Sequence, residues 1–283
     1  MFRYAAEILP YHDYPLEVSI RELARLGFTE VNLWSAARPL ADHVQPGDDV
    51  SKIRALLDRY GMRPCGLTAY GNDVDGMIAR VELARDLGID TIIFDCEANY
   101  SDFVSTFLPP IAAAAARNGV RIAVENHLAV PFTPEFESGG NEDKRWEEAV
   151  DSLAQIKRLV REVDDPNVGI CLAPPHLWVM GESVSEAITF LAERKRLFYY
   201  YIWDIDRAYK HGVDGLNFGP GEKQLARPDG TLDHVVTLGT LKRVGYEGPA
   251  SVKCHGTAGW PLAKVNAELA KADAYVKQCV TRI

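Results

Sequence analysis

VELARDLGIDTIIFD, residues 81–95, holds a helix, its stop signal and a strand in one stretch. The amphipathic helix runs to Gly88, where a left-handed cap, cheap only for glycine, turns the chain out. The apolar run 91–94 follows. The same unit recurs as IRELARLGFTEVNLW (20–34), LLDRYGMRPCGL (56–67), AAAARNGVRIAVEN (113–126) and LGTLKRVGYEGPASVK (238–253), with Gly27, Gly61, Gly119 and Gly245 at the stop. The strand runs 31–34, 64–67, 122–124 and 250–253 are apolar nearly throughout, as expected of parallel strands covered on both faces.

Three more strands are expected at 4–8, at 168–172 after the turn DDPN, and at 198–202, with SLAQIKRLVREV and SVSEAITFLAER as intervening helices. Eight strands alternating with helices through right-handed crossovers close into a (β/α)8 TIM barrel, an α/β fold of one domain over 1–283. The competing open, doubly wound sheet lacks its Gly-x-Gly-x-x-Gly turn after the first strand. Two connections, 128–148 and 211–233, are longer than ordinary βα loops and are expected to be lids or pocket walls on the catalytic face.

The chain is 47% hydrophobic and 25% charged, and no apolar run approaches the length of a membrane span, so no membrane partner is expected. Met1 and Phe2 lead straight into a short apolar segment without a basic leader, so the expected location is cytoplasmic. The five cysteines are scattered and never spaced C-x-x-C, which disfavours disulfides and a structural zinc site. A net charge of -9 without a long basic cluster disfavours nucleic acid. The expected partner is a small neutral or polar molecule.

A barrel enzyme draws its reacting groups from the ends of its strands. Read in order, those ends carry Glu7, Trp34, Tyr70, Asp95 and Glu97, Glu125 with Asn126 and His127, His176, then Tyr201, Trp203, Asp204 and Arg207, and finally Lys253 with His255. Glu125 follows an apolar run and points toward the barrel mouth, where a carboxylate is costly unless it meets a cation or a proton. Lys253 poses the same problem with the opposite sign, so the two are expected to face each other. A structural ion pair would satisfy both residues equally well. Trp34, Trp178 and Trp203 would pave a sugar pocket or fill core.

The stretches LGFTEVNLW, IAVENH, DDPNVGICLAPPH, YYYIWDID, GPGEK and GYEGPASVK, in this order, resemble the xylose-isomerase-like sugar phosphate isomerase/epimerase superfamily over nearly the whole chain. The resemblance implies a divalent metal at the ends of strands five to eight, and the corresponding positions here are Glu125, Ala173, Tyr201 and Lys253. Alanine gives no donor and a protonated lysine repels a cation, so the expectation is no metal and no other cofactor. The alternative is a rearranged Mn or Mg site on Glu125, His176, Asp204 and His255. The likeness to ketose 3-epimerases also implies that His176 and Arg207 hold the carbonyl end of the substrate.

The expected activity is that of an isomerase, epimerase or lyase in which Glu125 removes a proton beside a carbonyl and the Lys253 ammonium receives the enolate oxygen. His176 is counted with these catalytic groups. Arg207, Trp34, Tyr70, His127, Tyr201, Trp203, Asp204 and His255 are expected to bind substrate. A Schiff base on Lys253, a metal-dependent isomerase with rearranged ligands, and a non-catalytic binding barrel or partner subunit stay open as alternatives. Barrels of this kind often pair, so a homo-oligomer is also an expectation.

Overall fold

The computed structural model describes residues 2–37, 40–71, 73–95, 98–129, 149–211, 213–214 and 217–283. Strands β1 (Arg3–Glu7), β2 (Glu30–Ser35), β3 (Arg63–Ala69), β4 (Thr91–Phe94), β5 (Arg121–Glu125), β6 (Val168–Leu172), β7 (Leu197–Ile202) and β8 (Pro249–Val252) form a closed parallel barrel in sequence order. β8 closes the ring by pairing with β1, Ala5 opposite Ser251 and Ala6 opposite Val252. All eight expected strands are present, with ends shifted by no more than a residue or two.

The principal helices after successive strands are α1 (Leu16–Arg25), α2 (Val50–Arg59), α3 (Val74–Leu87), α4 (Leu108–Asn118), α5 (Leu153–Glu162), α6 (Val184–Glu193), α7 (His234–Arg243) and α8 (Leu262–Thr281). Asp49, Asp73, Ser152, Ser183 and Asp233 cap α2, α3, α5, α6 and α7 by accepting a backbone N–H from the first turn. The stop read from the sequence is real: Gly88 and Gly119 end α3 and α4 with φ of +74° and +66°.

Strand alternation sorts the side chains into two cores. Ala6, Ile92, Val124, Ile170, Tyr200 and Val252 face the helices, whereas Ala5, Ile93, Ala123, Cys171, Tyr199 and Tyr201 fill the barrel. Cys65, Cys171, Cys254 and Cys279 are free and buried, as expected of apolar-acting thiols. Among the described residues no helix is long and apolar enough to cross a membrane. Cys96, Glu97, residues 130–148 of the loop after β5, and Gly212, Gly215 and Leu216 of the loop after β7 lie outside the described residues.

The register of β2 against β3 slips by one residue, so that Val31 pairs with Pro64 and Asn32 with Gly66. A Cβ at Gly66 would lie 2.5 Å from Asn32 Oδ1 and 2.9 Å from Tyr199 Cε2, inside the barrel. Gly66→Ala is therefore expected to destabilise the fold by ~1–3 kcal/mol in urea denaturation. Unchanged stability would show that the interior can yield.

Candidate active site

Glu125 closes β5 two residues beyond the inward-facing Ala123, and Lys253 follows β8 two residues beyond the inward-facing Ser251. Alternation sends both side chains into the barrel mouth, where they are 1% and 0% exposed. Lys253 Nζ donates to Glu125 Oε1 at 2.7 Å, and the Tyr70 hydroxyl donates to Glu125 Oε2 at 2.8 Å. The ammonium also lies 3.8 Å from the Tyr201 ring centroid, 5.0 Å from that of Trp203 and 5.5 Å from that of Trp34. Aromatic faces and one carboxylate replace the water it has lost.

The imidazoles stand beside this pair. His176, on the short helix Pro174–Val179 after β6, is buried with ring centroids 4.3 Å from His127, 5.0 Å from Trp203 and 5.5 Å from Phe218. Among the described residues neither of its ring nitrogens has a hydrogen-bond partner, and neither does the Trp203 indole N–H. Burial, reinforced by His127, Lys253 and His255, holds the His176 pKa well below the usual imidazole range. Burial and then Lys253 lower that of His255 in the same way. Both rings are neutral at pH 7. His255 packs 5.1 Å from Trp203 and 5.9 Å from Trp34, and Gln224 Oε1 accepts its backbone N–H at 3.1 Å.

The positions implied for a metal do not suit a divalent ion. Ala173 offers only a methyl group, Tyr201 turns its ring face to Lys253, and the two oxygens of Glu125 already serve Lys253 and Tyr70. The rearranged set is not assembled either. Asp204 Oδ1 accepts the backbone N–H groups of Ile205, Thr231 and Leu232 at 2.8, 3.1 and 3.2 Å, and Asp204 Oδ2 faces His234 Nε2 at 3.5 Å. Among the described residues no group of three or more His, Cys, Asp or Glu is placed to hold a metal.

Two expected substrate contacts thus lie elsewhere. Asp204 organises the loop after β7, a role that follows from its three backbone donors. Arg207 is exposed and donates to Gly230 O at 3.0 Å, outside the buried cluster. Trp178 is also largely outside, at 37% exposure. Tyr70, His127 and His255 are half-buried at the rim, whereas Trp34, Tyr201 and Trp203 are fully buried beneath them.

One residue of the strand-end series outweighs the part it was given. Glu7 is wholly buried, and its carboxyl group accepts from Asn32 Nδ2 and Trp34 Nε1, both at 2.6 Å, from Tyr199 OH at 3.5 Å, and from Ser251 Oγ. Burial pushes its pKa up to about 7, against the opposing pull of Ser251, Asn32, Trp34 and Lys253. Its place at the end of β1 was the available signal. Gln224, at the end of the short helix Gly221–Gln224, gave none, since a neutral side chain away from the strand ends announces nothing.

The family profile described as xylose isomerase-like TIM barrel matches residues 20–274. No curated protein matches the sequence. Among solved structures, the IolI protein with a bound zinc atom superposes with a TM-score of 0.74 at 16% identity, covering 99% of this chain and 99% of that one. L-ribulose 3-epimerase gives 0.72 at 16% identity, covering 100% and 95%. D-allulose 3-epimerase from Methylomonas sp. gives 0.69 at 16% identity, covering 98% of each chain. At such identities the likeness shows a shared fold.

Removing one partner of a buried ion pair strands the other. Lys253→Met is expected to cost ~3–5 kcal/mol in denaturant titration, and the double variant Glu125→Gln/Lys253→Met to recover most of that loss. Simple additivity of the two single changes would contradict the coupling.

Proposed function

The chain belongs to the xylose isomerase-like TIM-barrel family, and we propose that it is an enzyme that moves a proton beside the carbonyl of a sugar-like or other oxygenated small molecule, without a metal ion. The observation that carries this reading is the Lys253–Glu125 contact at 2.7 Å, buried where the barrel gathers its strand ends.

An ammonium has three donors. One serves Glu125, so a substrate carbonyl that reaches the mouth can take another. Glu125 then removes the proton from the neighbouring carbon, and the charge that develops on oxygen meets Lys253 in a site of low dielectric. Tyr70 fixes the carboxylate through its second oxygen. His176, neutral and with both ring nitrogens unpartnered among the described residues, can receive a substrate hydroxyl.

The fate of the enolate decides the product. Return of the proton to the adjacent carbon, with the hydroxyl proton relocated, gives the isomer. Return to the opposite face of the same carbon gives the epimer, and loss of a β-hydroxyl as water gives elimination. All three share the first proton transfer, which is therefore the step to measure.

The test is hydrogen exchange in D2O, followed by proton NMR over a panel of ketoses and hydroxy-ketones. Deuterium is expected at the carbon beside the carbonyl, at a rate unchanged by dialysis against a chelator. Glu125→Gln and Lys253→Met should each slow it by a factor of ~100 or more. Wild-type rates in either variant would remove the assignment, and loss of exchange on chelation would remove its metal-free part. A borohydride-stable adduct on Lys253 would replace enolate stabilisation by a Schiff base.

A further inference from the structure

Resting on the reading of Lys253 as the cation that meets the enolate oxygen, we propose that Glu7 is the residue that positions this ammonium, by fixing from below the aromatic faces against which it lies. Two arms run from its carboxyl group. In the first, Trp34 Nε1 donates to Glu7 Oε2 at 2.6 Å, and the same indole presents its face 5.5 Å from Lys253 Nζ. The Trp34 ring also packs 5.4 Å from Tyr70, the tyrosine that holds Glu125.

In the second arm, Asn32 Nδ2 donates both to Glu7 Oε2 and to Thr68 Oγ1, each at 2.6 Å. Thr68 Oγ1 lies 2.9 Å from the Tyr201 hydroxyl, and among the described residues the Tyr201 ring is the aromatic face nearest the ammonium, at 3.8 Å. The remaining donors, Ser251 and Tyr199, stand two residues before Lys253 and Tyr201 on β8 and β7. One carboxyl group therefore ties together the strands that carry the cation, its floor and its wall. Each of these hydrogen bonds is buried in the barrel, where losing an acceptor leaves donors unpaired.

The groups that face Glu7 also single it out as the one whose charge changes near neutrality. From β2 come only Asn32 and Trp34, which do not titrate. Cys65 of β3 and Tyr199 of β7 are pushed upward by burial and stay neutral, as do Tyr201 and Cys171 beyond them. Lys253, just past β8, draws the Glu7 pKa down, and its own ion-pair partner is Glu125 of β5. A Glu7 pKa raised to about 7 then means that the carboxyl group ionises as the pH rises through neutrality, and the Lys253 ammonium senses a new negative charge.

The test needs no substrate. Protein labelled with 15N-lysine is titrated between about pH 5 and pH 9 by NMR, the Lys253 ammonium signal being identified by its loss in Lys253→Met. In the wild type the signal is expected to shift with a midpoint near pH 7. In Glu7→Gln, which keeps an acceptor but cannot ionise, the signal should remain and the midpoint vanish. In Glu7→Ala the signal should broaden into exchange with water while the circular dichroism stays that of the wild type. A midpoint that persists in Glu7→Gln, or an unmoved signal in Glu7→Ala, would overturn the proposal. Should Glu7→Ala fail to fold, the comparison with Glu7→Gln decides alone. Because turnover is not read, failure here leaves the proton-transfer reading intact, and failure of D2O exchange leaves this result standing.

Discussion

An ammonium and a carboxylate held 2.7 Å apart in the mouth of the barrel constrain every residue around them. Taking an ammonium out of water costs several kcal/mol even after relaxation, and one hydrogen bond does not offset that. The remaining stabilisation comes from Tyr201, Trp203 and Trp34, whose rings lie within cation–π range of Lys253. Those rings must themselves be oriented, and Tyr201 and Trp34 are oriented by hydrogen bonds that lead down to Glu7. The site is thus two coupled layers, a charged one at the mouth and a hydrogen-bonded one beneath.

The lower layer carries a stability consequence of its own sign. Glu7 has a folded-state pKa near 7 against an ordinary value of 4.5, so the folded chain holds a proton that the unfolded chain has already released between those two values. Stability contributed by the neutral acid is full below the unfolded value and declines as the pH rises through the folded one. A site arranged in this way is easiest to hold together on the acid side of neutrality and most polar on the alkaline side. The charge that develops on Glu7 is met by three side-chain donors, from Asn32, Trp34 and Ser251, which is why it can be borne at all.

The fold was legible in the sequence because the barrel repeats one unit, and each repeat carries its own stop at a glycine with positive φ, as Gly88 and Gly119 show. The Glu125–Lys253 pair was legible for a related reason: alternation on a strand fixes which way a side chain points, and opposite charges sent into one enclosed space must meet. Asp204 and Arg207 lie past the end of β7, where alternation no longer governs direction. There the local hydrogen bonds decide, and they draw Asp204 to the backbone of residues 205, 231 and 232 and Arg207 to Gly230. Glu7 could be seen at a strand end, but its weight depends on Asn32, Trp34, Tyr199 and Ser251 converging from three other strands. No local pattern encodes that convergence.

Charge balance makes the residues at the four positions consistent with one another. A divalent ion in an enclosed mouth requires several anionic oxygens to neutralise it. A lysine supplies one positive charge on a covalent tether, so one carboxylate suffices, and further acids would leave buried negative charge unpaired. With Lys253 in place, Ala173 and Tyr201 are then the consistent choices at their positions: one adds no charge, and the other offers a face with partial negative character to the cation. A single positive charge stabilises an enolate less than a double one at the same distance. In the proposed proton transfer that deficit would be offset by burial, since the same charge acts more strongly where Trp34, Tyr201 and Trp203 exclude water. In the proposed reaction, the aromatic wall and the low-lying acid beneath it would therefore matter as much as the two charged residues.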